Sequence, residues 1–153
     1  MQTKKRVVYV DADSCPVKQE IMVIAQELHY DVIFVTSYSH HGTKMEGSQT
    51  VFVDNEKEAV DMYIVNHAKS HNVVVTQDHA LASILLPKKA KVLSPRGIIF
   101  SEERIENMLE ERHFSQKQRR AGAKTKGPKK FTDEDRNQFC KSFRRILSQE
   151  EGE

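Results

Sequence analysis

An α/β fold with a mostly parallel sheet is predicted by three features of the chain. Short apolar runs alternate with helical stripes, which implies right-handed crossovers between parallel strands. Val7-Val8-Tyr9-Val10 and Val73-Val74-Val75 are unbroken apolar runs, as expected of central strands covered on both faces. Both runs are followed within a few residues by aspartates: Asp11 and Asp13 after the first, Asp78 after the second.

In order, residues 6–11 form the first strand. Residues 16–29 form a helix with Val17, Ile21, Ile24, Ala25 and Leu28 on one stripe and Pro16 in the first turn. Residues 31–36 are a second strand, residues 37–48 a polar loop, and residues 50–53 a short strand. Residues 56–70 read as a helix facing inward through Val60, Tyr63, Ile64, His67 and Ala68. Residues 72–76 are a strong strand, 79–86 a short helix ending near Pro87, and 91–93 a strand. Ser94-Pro95-Arg96-Gly97 is a turn, and residues 102–113 are helical with Ser101 as cap. Residues 115–130 are rich in Lys, Arg, Gly and Gln and read as an extended arm. Thr132 then caps an amphipathic helix over 133–148, with Asp135 in capping-box position and Phe139, Phe143, Ile146 and Leu147 inward. The expected organisation is an α/β domain over 1–114, and an arm with a terminal helix over 115–153 packed on that same domain.

The 153 residues suffice for one domain with a core. No apolar run approaches the roughly 18 residues that span a bilayer, and the apolar stretch behind the polar start is too short for a signal peptide. The expected compartment is therefore the cytosol, without membrane association. Two cysteines, Cys15 and Cys140, form no CxxC and no zinc spacing. Cys15 lies near a helix start, where a thiol pKa can fall; a small half-buried residue is the plainer reading. The net charge of +2 conceals an asymmetry. Arg112, Lys117, Arg119, Arg120, Lys124, Lys126, Lys129 and Lys130 fall in a stretch without acids. Without those eight, 16 basic residues face 22 acidic ones, a net −6. An acidic body with a basic arm suggests a polyanionic partner, with metal masking the body's charge locally.

Ligands of open parallel sheets bind beyond the carboxyl ends of the strands. If the strands that precede them are neighbours, Asp11, Asp13 and Asp78 meet there. Crowded carboxylates raise one another's pKa, and hard divalent cations such as Mg²⁺ or Mn²⁺ balance them. Glu58 and Asp61 share a face near a helix start, though acids there also simply offset the helix dipole. Turn and cap roles are the ordinary alternatives for the three strand-end aspartates. His40 and His41 lie in a loop, His67 reads as a packed residue, and His79 could touch a substrate. Arg96 could reach a phosphate or pair with an acid. Arg119, Arg120, Lys124 and Lys126 would contact a nucleic-acid backbone, which gives affinity and salt dependence without sequence choice. No aromatic ladder accompanies them.

Val10-Asp11-Ala12-Asp13-Ser14-Cys15-Pro16-Val17-Lys18, Val75-Thr76-Gln77-Asp78, Ser94-Pro95-Arg96-Gly97, and Thr125-Lys126-Gly127-Pro128 with Phe131-Thr132 and Asp135-Arg136 resemble the YaiI/YqxD family of bacterial proteins. The resemblance covers nearly the whole chain, and that family is similar to PIN-domain nucleases. It implies a three-layer PIN-like (Rossmannoid) sheet flanked by helices, and an Mg²⁺ or Mn²⁺ site that hydrolyses nucleic acid, RNA ahead of DNA. By position, Asp11 is the first-strand acid, Asp61 the helix acid and Asp78 the later strand-end acid, with Asp13 and Glu58 as supplements. This chain departs from the family pattern at Glu58, where aspartate is usual, and at His79-Ala80, where Ile-Pro is usual after the acid. Two other readings stay open. One is a haloacid-dehalogenase-like phosphatase with Asp11 as nucleophile and Thr36 as a phosphate-binding hydroxyl. The other is a non-catalytic RNA-binding protein.

Overall fold

The computed structural model describes residues 6–38, 48–56, 58–107, 110 and 130–151. Five parallel strands make one sheet: β1 (Val7–Asp11), β2 (Asp31–Ser37), β3 (Gln49–Val53), β4 (Val73–Val75) and β5 (Lys91–Leu93), in spatial order β3-β2-β1-β4-β5. The chain steps outward from β1 to β2 to β3, then crosses back to β4 on the other side of β1. The strand order reverses there, the position at which open α/β sheets generally take their ligands.

The helices are α1 (Lys18–Glu27), α2 (Ala59–His67), α3 (His79–Leu85) and α4 (Asp133–Glu151). Residues 102–107 are also helical, with the Ser101 hydroxyl accepting the Arg104 amide at 3.1 Å as a cap. Because side chains alternate across a strand, β1 feeds two cores. Val8 and Val10 pack with α1 and α4 against Ile21, Ile24, Phe139 and Phe143. Val7 and Tyr9 pack with α2 and α3 against Val60, Ile64, Leu81 and Leu85. Both faces are buried, which is why the central strands carry continuous rather than alternating apolar residues.

The last helix belongs to the body. Its capping box is formed reciprocally: the Asp135 amide donates to Thr132 Oγ1 at 3.1 Å, and the Thr132 amide donates to Asp135 Oδ2 at 3.0 Å. Phe139, Phe143, Ile146 and Leu147 are all buried. Gly97 lets α4 approach closely. A Cβ there would stand 2.6 Å from the Gln138 carbonyl oxygen, and its φ of +87° favours glycine in any case.

Several expectations change in detail. The helix expected over 16–29 begins at Lys18, after a 3-10 turn at Ala12–Ser14. The helix expected over 56–70 is shorter, Ala59–His67, and His67 is exposed rather than inward. It sits at the helix's last residue, with its ring stacked on Tyr63 at 3.9 Å and its Nδ1 2.8 Å from the Tyr63 carbonyl oxygen. Most of the 37–48 loop, the later part of the 102–113 helix and nearly all of the basic arm lie outside the described residues. No helix among the described residues is long and apolar enough to cross a membrane.

Candidate active site

Asp11 ends β1 and continues the Val7–Tyr9 alternation, so it projects to the side of the sheet that α2 and α3 cover. Asp61 lies in the first turn of α2, three residues before the buried Ile64 and so on the same helical face. Asp78 is the N-cap of α3, its Oδ1 accepting the Leu81 amide at 3.1 Å. Three separate elements thus place the three acids near the carboxyl end of the sheet, by the switch point.

The Asp61 carboxyl is pushed up to about 7. Burial is the largest cause, followed by the neighbouring Asp78 carboxylate, then by Asp11 and Glu58. The Asp11 carboxyl is also pushed up, chiefly by burial; the Thr76 hydroxyl acts against this, while Asp13 and Asp78 add to it. Glu58 occupies the N-cap position of α2, is exposed, and adds to the field on Asp61.

Thr76 was not singled out from the sequence. It is 1% exposed, donates its hydroxyl to Asp11 Oδ2 at 3.0 Å and accepts the Asp78 amide at 3.0 Å. One hydroxyl therefore ties the two strand-end acids together. A buried hydroxyl two residues before an acid was the signal available in Thr76-Gln77-Asp78.

Asp13 has a different setting. Its Oδ1 accepts the Thr36 hydroxyl at 2.6 Å and the Ser37 amide at 2.9 Å, so it ties the turn after β1 to the end of β2. Thr36 is 6% exposed, and its hydroxyl is directed at Asp13. Arg96 Nη1 pairs with Asp135 Oδ2 at 2.7 Å, holding the start of α4 to the turn after β5. His79 packs edge-on to Phe100, 5.5 Å between ring centroids. Burial pushes the Cys15 thiol up to about 11, so it is no activated nucleophile. Arg119, Arg120, Lys124 and Lys126 lie outside the described residues.

The donors there are all carboxylate oxygens, the chemistry of Mg²⁺ or Mn²⁺ rather than of softer metals. Among the described residues, no three His, Cys, Asp or Glu side chains surround a common point in metal-holding geometry. The donor set fits such a cation in kind and in charge.

The profile described as "Uncharacterized BCR, YaiI/YqxD family" matches residues 9–149. A UPF0178 protein of Halalkalibacterium halodurans is 52% identical over 145 residues, covering 95% of this chain and 92% of that protein. A UPF0178 protein of Bacillus velezensis is 48% identical over 153 residues, covering 99% of this chain and 91% of the other. Among solved structures, Rae1 (YacP) of Bacillus subtilis, as its W164L mutant, aligns with a TM-score of 0.43 at 18% identity, covering 94% of this chain and 99% of that one. With its profile match and these relatives over nearly its whole length, the chain belongs to the YaiI/YqxD family.

Proposed function

We propose that this protein is an Mg²⁺- or Mn²⁺-dependent hydrolase of phosphodiester bonds in nucleic acid, RNA ahead of DNA. What supports the reading is that Asp11, Asp61 and Asp78 come from three elements near the point where the strand order reverses, and that Asp78 raises the carboxyls of both Asp11 and Asp61. The motif resemblance to PIN-domain nucleases points the same way.

Asp11, Asp61 and Asp78 would hold the cation, with Asp13 and Glu58 as supplements, and a divalent ion there neutralises phosphate charge and polarises a phosphate oxygen. The chain's own groups supply the rest. Thr76 fixes the Asp11 carboxyl through its hydroxyl. Asp78 is fixed by the α3 amide it caps. As water attacks phosphorus, a new oxygen–phosphorus bond forms and the bond to the departing sugar oxygen breaks. Asp13 would orient that water, whose proton passes to solvent while the departing sugar oxygen takes one up. Arg119, Arg120, Lys124 and Lys126 of the arm would grip the backbone. Arg96, paired with Asp135, serves to hold the base of that arm.

A cleavage panel tests this. Single- and double-stranded RNA and DNA are incubated with the protein in Mg²⁺, in Mn²⁺ and in chelator. Metal-dependent cleavage, with RNA the better substrate, is expected. Absence of cleavage of all four in both metals would overturn the reading. A phosphoryl group trapped on Asp11 from a small phosphate monoester would replace it with the phosphatase.

A further inference from the structure

The amino edge of the sheet, opposite the acids, carries charge of the other sign. Arg6 leads into β1, Lys69 and His71 into β4, and Lys88 and Lys89 into β5, whose first residue is Lys91. Strand register sets three of these in a row. Val8 pairs with Val73 and Val73 with Lys91, so Arg6, His71 and Lys89, each two residues earlier, stand at one level across three adjacent strands. The row spans about 10 Å, two strand spacings. Backbone bonds fix it: the His71 amide donates to the Lys89 carbonyl oxygen at 3.0 Å, and the Lys91 amide to the Asn72 carbonyl oxygen at 2.9 Å. Asn72 Oδ1 accepts the Lys69 amide at 2.8 Å and so holds Lys69 beside them. Asp31, the first residue of β2, is the one acid among the described residues of the segments entering these strands and β2.

The side chains decide what such an edge suits. Lys69, His71, Lys88, Lys89 and Lys91 are exposed, and Arg6 is half-buried with its guanidinium 5.7 Å from the Tyr30 ring centroid. Ala68 and Ala90 of the same segments are buried, and none of the exposed large apolar side chains among the described residues belongs to these segments. The edge thus offers cations without an apolar anchor. Protein partners are generally held by aromatic and aliphatic residues at the interface core, where lysine is depleted. A phosphate backbone needs only spaced cations. Lysine at a helix end also offsets the helix dipole, and Lys88, whose ammonium donates to the Val65 carbonyl oxygen in the last turn of α2, has that role. Lys69, Lys89 and Lys91 lie outside the α-helices.

We propose that this amino edge, centred on Lys69, Lys89 and Lys91, anchors the phosphate backbone of nucleic acid at a second place, away from the acids. The length of β1, about 16 Å, separates the two. An RNA of sufficient length reaches both, and one of a few nucleotides fills the acid site alone. The anchor rests on the nuclease reading for its substrate class, but binding tests it apart from cleavage.

The test uses the full chain in chelator, so that nothing is cut, and a labelled single-stranded RNA of several tens of nucleotides. Affinity is read across a range of salt for wild type, for Lys69→Gln alone, and for a variant that combines Lys69→Gln, Lys89→Gln and Lys91→Gln. The salt slope of the combined variant is expected to be shallower by about 2, three contacts at about 0.7 each on a single strand. That of Lys69→Gln is expected to be shallower by about 0.7, and this exposed single site keeps the test decisive if the combined variant does not fold. Polyglutamate and vesicles of anionic phospholipid are expected to displace the probe poorly. An unchanged slope in the variants would overturn the anchor, as would no RNA binding by wild type. So would displacement by polyglutamate or by the vesicles as effective, charge for charge, as by unlabelled RNA. In metal, a strand of a few nucleotides is expected to be cut alike by wild type and the combined variant, and the long RNA with a raised KM in the variant. No cleavage by wild type, with the salt slopes as expected, would sink the nuclease reading and leave the anchor standing.

Discussion

The two faces of the sheet handle charge in opposite ways. On the face covered by α1 and α4, acids meet arginines. Arg136 Nη1 stands 2.7 Å from Glu20 and 3.0 Å from the Pro16 carbonyl oxygen, and Arg144 Nη1 stands 2.6 Å from Glu27. The Arg144 guanidinium accordingly holds the Glu27 carboxyl below its usual range. On the face covered by α2 and α3, acids meet acids, and the named influences on Asp61 all act upward. Opposite charges that pair serve to hold helices in place. Like charges brought together by buried elements cost stability, and perturbed carboxyls of this kind cluster where chemistry is done. On the proposed reading, the first face is scaffold and the second is site.

The largest expected effect comes from breaking the site. Asp11→Asn should lower metal-dependent cleavage by about a thousandfold, since metal charge stabilisation is worth several kcal/mol of barrier. The same change should leave the melting temperature unchanged or raise it, because it removes one of the crowded charges. Cleavage and melting measured on one preparation check both, and an enzyme that keeps its activity would erase the distinction between the faces.

The scaffold should respond in the reverse sense. Phe139 is fully buried beside Phe143, with ring centroids 5.1 Å apart. Phe139→Ala should cost about 3–5 kcal/mol of stability, read by denaturant unfolding. Activity per folded molecule should change little.

A smaller effect separates the faces by pH. The folded-state pKa of Asp61 is raised to about 7 from 3.8, so its contribution to stability is fully present at low pH and is lost as pH rises through that interval. Glu27 is lowered from 4.5, so its contribution is present above that value and is lost as pH falls through the lowered one. Unfolding curves across pH should therefore lose their downward slope between about 4 and about 7 in Asp61→Asn. They should keep it in Glu27→Gln. An unchanged slope in Asp61→Asn would show that the carboxyl is not held protonated.

Arg136→Ala is expected to have the smallest effect, a loss of about 1 kcal/mol that shrinks in high salt, with cleavage unaltered. A larger loss of activity than of stability would move α4 out of the scaffold and into the site.

What the sequence revealed follows the range of the forces involved. β1 and β4 were legible because burial on both faces leaves a continuous apolar run. Asp11 and Asp78 were legible because acids directly after such runs must lie at the sheet's carboxyl edge. The α4 cap was legible because the Thr132–Asp135 box is local. Contacts between distant segments left no periodic trace. Thr76 joining Asp11 to Asp78, and Thr36 with Ser37 holding Asp13, depend on which strands are neighbours. The Tyr38–Phe52 stack depends on the pairing of β2 with β3. His67 fitted the apolar stripe of its helix by spacing, but it falls on the last residue of α2, where its ring turns along Tyr63 instead of inward.

The central claim is that the crowded acids await a divalent cation, and a calorimetric titration with Mn²⁺ tests it most directly. The titration is run at about pH 6 and about pH 8, either side of the Asp61 carboxyl, in buffers of different ionisation enthalpy. One-to-one binding is predicted, tighter at the higher pH and releasing about one proton at the lower. Asp61→Asn should lose the proton release, and Asp11→Asn should lose most of the affinity. Absence of Mn²⁺ binding at both pH values, or binding as tight in Asp11→Asn as in the wild type, would contradict the account.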